Sequence, residues 1–135
     1  MKPSAIVKYL RTKPESVEDY PFGPDAQVFK IQGKMFALLF RKDGCDCVNL
    51  KCNPHEAIEL RDVFDAVQPG YHMNKTHWNT VILDGSIPAG EIERMIDNSY
   101  SLVVKKLRRS IRTGLELRHG KHQIHKTGAD IDGSR

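Results

Sequence analysis

The sequence predicts an α+β domain in which an antiparallel β-sheet packs against helices, in the order α-β-β-β-α-β-α. Three apolar runs are separated by the dipeptides Gln32-Gly33 and Asp43-Gly44. Glycine adopts the positive φ that tight hairpin turns demand, so this pattern indicates a three-stranded meander. Stretches with helical spacing lie on both sides of it, which favours a sheet layer against a helix layer.

The first element is a short helix from about Ser4 to Thr12. Ile6, Val7 and Leu10 have the i, i+3, i+4 spacing of one helical face, and Ser4 is a suitable N-cap. Pro14 helps to end this helix. The acidic sequence ESVEDYPFGPD then predicts a loop, because proline and glycine interrupt it repeatedly.

The meander follows, with strands predicted over 28–31, 34–40 and 45–52. The middle run, MFALLF, is apolar at successive positions. A strand that is apolar on both faces is typical of a central strand that is covered on both sides.

The second half of the domain is predicted as helix, strand, helix. Asn53 and Pro54 begin a helix as N-cap and first residue, and Glu56 completes a capping box. This helix is predicted to end at Pro69-Gly70. Its apolar stripe is predicted to consist of Ala57, Ile58, Leu60 or Arg61, Phe64 and Val67. A strand is predicted over 77–83. A long helix opens at Pro88, with one face formed by Ile92, Met95, Ile96, Ser99, Val103 and Leu107.

The basic charge of the chain is concentrated at its C-terminal end. Residues 105–135 carry nine Lys and Arg against three Asp and Glu, whereas residues 1–104 carry twelve against fourteen. Periodicity is lost from Ser110 onward. We therefore expect a domain over residues 1–107 and a basic, disordered tail over residues 108–135, which can attract nucleic acid or an acidic membrane surface.

The overall composition favours a cytoplasmic protein. The chain of 135 residues is 39% hydrophobic and 28% charged, which fits one ordinary globular domain with extensions. It has no apolar run long enough for a membrane span and no signal peptide. Its three cysteines, an odd number, favour free thiols in a reducing compartment, and we expect a monomer with no membrane partner.

The segment PGYHMNKTHWNT (Pro69–Thr80) gathers the side chains that are best suited to binding. It holds two aromatic residues, two histidines, a lysine and the only tryptophan of the chain. Tyr71 and Trp78 can stack on bases, while Lys75 can neutralise a phosphate. The alternative is that the aromatic rings anchor the sheet to the helices and that the polar groups satisfy loop backbone atoms.

The chain resembles the MmcQ/YjbR family, formerly a domain of unknown function, from about Tyr20 to Leu107. The resemblance is carried by YPFGPD, VFKIQGKMFAL, NLKCNP, PGYHMNKTHWNTV, LDGSIP and SYSLVVKKL, in that order. It implies a double-wing or frataxin-like arrangement of sheet and helices. It also implies DNA binding, by fold analogy to a domain of a phage transcription activator, and neither a catalytic activity nor a cofactor.

We therefore predict a non-enzymatic binding domain with DNA as its ligand. The nucleic-acid-binding residues are predicted in two groups, one around the aromatic segment and one at the basic end of the last helix: Arg61, Tyr71, Lys75, His77 and Trp78; and Lys105, Lys106, Arg108 and Arg109. The alternative is a module for protein interaction or small-anion binding that uses the same aromatic cleft, with no role for nucleic acid.

Catalysis and metal binding find little support in the residue patterns. His72 and His77 are five positions apart, and an odd separation on an extended chain places their side chains on opposite faces. Cys45-x-Cys47 lacks the spacing of a zinc knuckle. Acid–base chemistry would need Tyr71, His77 and Asp84 to converge.

Overall fold

The computed structural model describes residues 1–126 and has an α+β fold, as predicted. Six strands form one antiparallel sheet in the order β1-β2-β3-β4-β6-β5. None of the helices in the described part of the chain is both long and apolar enough to cross a bilayer. The elements are α1 (Pro3–Arg11), β1 (Val17–Asp19), β2 (Gln27–Ile31), β3 (Lys34–Lys42), β4 (Cys45–Lys51), α2 (Pro54–Val63), β5 (Val67–Pro69), β6 (Trp78–Ile82), α3 (Ala89–Lys105), α4 (Arg109–His119) and α5 (Lys121–Ile124).

The predicted meander is confirmed as β2, β3 and β4. Gln32 and Gly33 have φ of 50° and 78°, and Asp43 and Gly44 have φ of 52° and 76°. Positive φ at both central residues defines the type I′ turn, whose twist matches that of the flanking strands. The two glycines are therefore the reason that the hairpins close where the sequence places them.

The main core lies between the sheet and α3. All six residues predicted for the apolar face of this helix are buried, which confirms the face, although Leu107 lies two residues beyond the end of α3. The ring of Tyr100 meets that of Phe36 edge to face, with their centroids 5.2 Å apart. Ser99 bridges two strands, because its hydroxyl donates to the carbonyl of Phe36 at 2.6 Å and accepts from the amide of Lys51 at 2.9 Å.

The second helix is shorter than predicted. Asn53 caps it as expected, accepting from the amide of His55 at 3.0 Å. Phe64 is already extended, with φ of −120°, and Val67 belongs to β5, where it pairs with Val81. Ile58, which we placed on the apolar stripe, is exposed. Residues 67–69 form a strand instead of a helix end because pairing with β6 satisfies their backbone groups.

The expectation of a disordered tail is wrong for residues 109–124, which form α4 and α5. Leu115 and Ile124 are fully buried in the main core. Arg118 and His119 each contact the carboxylate of Glu15 at 2.8 Å. Two apolar anchors and one carboxylate therefore hold these helices against the domain, and the part of the predicted tail beyond residue 126 lies outside the described residues.

Candidate functional site

Residues 70–77 form the loop between β5 and β6, and this loop is tied closely to β6. The amide of Gly70 donates to the carbonyl of Trp78 at 2.9 Å, and the amide of Tyr71 donates to the hydroxyl of Thr80 at 2.9 Å. A Cβ atom on Gly70 would lie only 2.8 Å from the Cβ atom of Trp78. The loop therefore needs glycine at this position to approach the strand so closely.

Arg61 holds this loop from the helical side of the sheet. Its guanidinium donates to the side-chain oxygen of Asn79 at 2.7 Å and also to the carbonyls of Lys75 and Trp78. Asn79 in turn donates to the carbonyl of Ala57 in α2 at 3.3 Å. Arg61 thus links α2 to the loop, and its Nε and Nη2 atoms already donate within the protein.

Lys75 also stabilises the loop. Its amine donates to the carbonyl of Gly70 at 3.1 Å, while the side chain remains largely exposed. A lysine amine has three donors, so this contact leaves others free. The predicted phosphate contact at Lys75 stays a prediction, but the contact with Gly70 gives this lysine a structural role that the sequence did not reveal.

Tyr71 lies on the face of the sheet that α3 does not cover, here called the outer face. Its ring stacks on that of Phe40, with centroids 5.8 Å apart and an angle of 19° between the planes. The centroid of the His72 ring lies 4.0 Å from the centroid of the Tyr71 ring. The amine of Lys42 lies 4.3 Å from the centroid of the Tyr71 ring, which is a cation–π arrangement.

Trp78 is separated from Tyr71 along the sheet. Trp78 pairs with Lys51 of β4, so the side chains of Trp78 and Lys51 emerge on the same face of the sheet. Phe40, on which the Tyr71 ring stacks, pairs with Cys47, which is four residues away from Lys51 along β4. Trp78 is half-buried. The structure therefore divides the predicted aromatic cluster into a part near Phe40 and a part near Lys51.

His77 contributes its backbone to the fold. Its carbonyl accepts from the amide of Cys52 at 2.8 Å, and its amide donates to the carbonyl of Asn74 at 3.3 Å. The carboxylate of Asp84 binds within its own turn, where it accepts from the amide and the hydroxyl of Ser86 at 2.9 and 2.6 Å. These bonds lower the pKa of Asp84. Within residues 1–126, no hydrogen bond joins the side chains of Tyr71, His77 and Asp84.

The junction of α3 and α4 gathers a basic surface. Within residues 1–126, none of its cations lies within 4.0 Å of a carboxylate oxygen. Burial, and then the adjacent charge of Lys106, lower the pKa of the Lys51 amine. We call this surface the basic junction, and it consists of Lys51, Lys105, Lys106, Arg108 and Arg109.

The cysteines do not assemble a metal site in the described part of the chain. Cys45 is exposed, whereas Cys47 and Cys52 are buried. Burial raises the pKa of the Cys52 thiol to about 12. No group of three or more His, Cys, Asp or Glu side chains is placed to hold a metal among residues 1–126.

One polar chain was missed by the sequence analysis. The ring of His125 contacts Glu116 at 2.7 Å through Nε2 and Ser101 at 3.3 Å through Nδ1. This order of groups resembles a nucleophile, a base and an orienting acid. Ser101 is buried in α3 with almost no exposed surface, so a substrate has no access to its hydroxyl. These hydrogen bonds instead fasten the end of α5 to α3.

Comparisons with known proteins agree on one family. Residues 11–102 match the family model described as YjbR. The uncharacterised protein YjbR of Escherichia coli K12 is 34% identical over 104 residues, covering 77% of this chain and 88% of that protein. The uncharacterised protein YyaQ of Bacillus subtilis is 42% identical over 111 residues, covering 72% and 93%.

A solved structure has the same fold. The crystal structure of Deinococcus radiodurans protein DR2400, described as a DUF419 domain, superposes with a TM-score of 0.77 and 34% sequence identity. The match covers 83% of this chain and 86% of that chain.

Proposed function

This chain belongs to the YjbR family, and we propose that it is a non-enzymatic binding protein whose ligand is duplex DNA. The observation that carries the proposal is the basic junction between α3 and α4. Lys105 and Lys106 are the last residue and the C-cap of α3, and Arg108 and Arg109 are the N-cap and the first residue of α4. All four side chains are exposed.

The charges of this surface are not neutralised within the described residues. Elsewhere, Arg11, Arg41 and Arg94 each have a carboxylate partner. The cations of the basic junction have none within residues 1–126. Unpaired lysine and arginine side chains on one surface attract the phosphate backbone, because each contact releases a counterion from the DNA.

The backbone of α4 adds donors at the same place. Arg108 is the N-cap of α4 and its side chain makes no capping hydrogen bond. The first amides of a helix have no partners within the helix, and its positive end favours an anion. A phosphate beside Arg108 and Arg109 would accept from both kinds of donor.

The neighbouring sheet supplies an aromatic residue. Lys51 connects the basic junction to β6, where Trp78 is its partner in the register. Trp78, which is half-buried, is therefore the residue of the predicted aromatic cluster that strand register links to the basic junction. Arg61 and Lys75 contribute less to this proposal, since each already donates to a backbone oxygen of the loop.

Fluorescence anisotropy with a short labelled duplex tests the proposal. At about 50 mM salt, where electrostatic binding is strong, the full chain binds. Lys105→Gln/Lys106→Gln weakens binding and reduces the slope of log affinity against log salt by about 1.8, or 0.9 for each lost contact. Lys2→Gln/Lys8→Gln, which removes two exposed charges of α1, is the matched control.

Two results would overturn the proposal. The first is no binding by the full chain at about 50 mM salt. The second is equal weakening by both double variants, because the effect would then follow net charge alone. Lys75→Gln separately tests whether the aromatic segment takes part.

A further inference from the structure

A pocket of about 340 Å³ lies on the outer face of the sheet. Its floor is formed by side chains of β3, chiefly Leu38 and Phe40. Its walls come from two loops that are far apart in the sequence, with Phe22 on one side and Tyr71 and Met73 on the other. The pocket does not include any residue of the basic junction.

We propose that this pocket binds a small planar aromatic compound that carries one carboxylate. The site is separate from the proposed DNA surface and has its own chemistry. The aromatic part of the ligand enters the pocket, and its carboxylate remains at the rim beside Lys42.

The lining of the pocket suits an aromatic ring. Phe40 and Tyr71 already stack nearly parallel at 5.8 Å, and Met35 and Met73 bring thioether groups to the same space. Aromatic rings gain from stacking on other rings and from contacts with methionine sulfur. A dry cavity of about 150 Å³ accommodates benzene, so the volume here admits two fused rings.

The mouth of the pocket has an unusual exposed ring. Phe22 is 70% exposed although it lines the pocket. It lies in a loop that turns at Gly23, where φ is 103°. A large apolar side chain in this position gains buried surface when a ligand ring fills the space below it.

The rim carries a cation that lacks a carboxylate partner within the described residues. The amine of Lys42 lies 4.3 Å from the centre of the Tyr71 ring. Within residues 1–126, no carboxylate oxygen lies within 4.0 Å of it. The nearby carboxylate of Asp46 is bound by Arg41 at 2.6 Å. Lys42 is therefore placed to meet a negative charge at the mouth of an apolar pocket.

The wall beside Lys42 is held in a fixed conformation. His72 has a φ of 58°, which a residue other than glycine seldom adopts. The carbonyl of Tyr71 accepts from the fully buried side-chain amide of Asn49 at 3.0 Å, and Asn49 accepts from Thr80 at 2.5 Å. These bonds fix the backbone from which the Tyr71 and His72 rings project, so the pocket is preformed.

Binding of 2-naphthoate, followed by protein NMR amide shifts, tests the proposal. A ligand of this size is expected to bind with a Kd of about 1 mM or tighter. Shifts are expected at residues 22 and 71–73. The neutral analogue 2-naphthalenemethanol and the non-aromatic cyclohexanecarboxylate are the two comparison ligands, and both bind more weakly.

Two variants separate the ring from the charge. Lys42→Met weakens 2-naphthoate by about fivefold and leaves 2-naphthalenemethanol unchanged, whereas Lys8→Met, on α1, changes neither. Leu38→Trp fills the floor of the pocket and abolishes binding of both. An NMR spectrum of each variant without ligand confirms that it is folded.

The outcomes that would overturn the proposal are distinct from those of the DNA experiment. Three results would each exclude it. The first is no binding of 2-naphthoate at a concentration of about 10 mM, which is 10-fold above the expected Kd. The others are amide shifts that map away from the pocket, and equal effects of Lys42→Met on the two naphthalene ligands. Preference for an aromatic side chain within a peptide would assign the pocket to protein recognition instead. Leu38→Trp should leave DNA affinity unchanged, so either proposal can fail alone.

Discussion

Lys13 and Asp97 form a buried ion pair, with Nζ and Oδ1 2.7 Å apart and side chains that are 2% and 0% exposed. The hydroxyl of Tyr9 donates to the same carboxylate oxygen at 2.7 Å. Burial, and then the Asp97 carboxylate, raise the pKa of Tyr9. The other oxygen, Oδ2, is buried without a hydrogen-bond partner among residues 1–126. This cluster fastens α1 to α3 through charge inside the core.

Removing one partner of this pair is expected to destabilise the domain strongly. Asp97→Asn leaves the Lys13 ammonium buried without a counter-charge, which costs about 3–5 kcal/mol of unfolding free energy. Lys13→Met/Asp97→Leu removes both charges and should recover much of that loss, since a buried pair can often be replaced by apolar groups. Urea unfolding measures both.

The exposed pair of Arg41 and Asp46 is the control for this experiment. Its atoms are 2.6 Å apart, as close as those of the buried pair, but solvent screens the charges. Arg41→Met should therefore cost less than about 1 kcal/mol. If Asp97→Asn costs no more than Arg41→Met, then Lys13 and Asp97 are not buried together in solution.

Helix α4 offers a matched pair of leucines, one buried and one exposed. Leu115 is 0% exposed and Leu117, two residues later, is 82% exposed. Leu115→Ala leaves a cavity in the core and should cost about 2–5 kcal/mol. Leu117→Ala should change the stability by less than about 0.5 kcal/mol.

Thermal or urea unfolding distinguishes the two leucine variants directly. Equal, small effects would mean that α4 does not pack against the domain, and the earlier expectation of a disordered tail would be restored. Because Leu115 and Ile124 belong to the core, shortening the chain at residue 107 would expose apolar surface. The DNA experiment therefore uses charge substitutions in the full chain.

The sequence predicted the parts of the fold that local patterns determine. Gly33 and Gly44 mark the hairpins because positive φ is a property of the residue itself. The buried face of α3 follows from a regular spacing that continues over 17 residues. The packing of α4 was missed because a single buried leucine anchors it, and its ion pair joins Arg118 to Glu15, which lies 103 residues earlier.

The candidate site was predicted less well for a similar reason. The sequence identified Tyr71 and Trp78 as aromatic residues of interest, but strand register decides that they lie at different places on the sheet. Arg61 looked like a phosphate contact, whereas its acceptors are backbone carbonyls that only the folded loop brings to it. The pocket is lined by Phe22 and Tyr71 from two loops that are distant in the sequence, an arrangement that no local pattern indicates.

Two glycines provide a test of the loop that carries Tyr71. A Cβ atom on Gly70 would lie 2.8 Å from both the Cβ atom and the carbonyl oxygen of Trp78. Gly70→Ala should push the loop from β6, lengthen the bond between Gly70 and Trp78, and cost about 1–3 kcal/mol. Differential scanning calorimetry measures the loss.

Gly90 is the control, because a Cβ atom there meets nothing within 4 Å and the residue lies in the first turn of α3. Gly90→Ala should stabilise the protein by up to about 1 kcal/mol, since alanine is the better helix former. A Gly70→Ala protein as stable as the Gly90→Ala protein would show that the loop is not held closely against β6.

Acid should weaken the attachment of α4 through Glu15. Hydrogen bonds from Arg118 and then His119 lower the pKa of Glu15 to about 2. A carboxylate whose pKa is lower in the folded state stabilises that state above its unfolded pKa, which is about 4.3. This stabilisation is lost as the pH falls from about 4.3 through the folded pKa of about 2. Because Glu15 is exposed, solvent screening limits it to about 1 kcal/mol or less.

The free energy of unfolding of the wild-type protein should therefore decline as the pH falls from about 4.3 to about 2. Glu15→Gln should make this decline smaller. Glu59→Gln provides the same change of charge at an exposed residue of α2 that has no ion-pair partner among residues 1–126. Urea unfolding at a series of pH values between about 2 and 6 compares the three proteins. If Glu15→Gln and Glu59→Gln follow the same curve, the contacts of Glu15 with Arg118 and His119 do not persist in solution. Selective flattening by Glu15→Gln would instead identify this carboxylate as the group that couples α4 to the turn between α1 and β1, because its charge is what the two cationic side chains recognise.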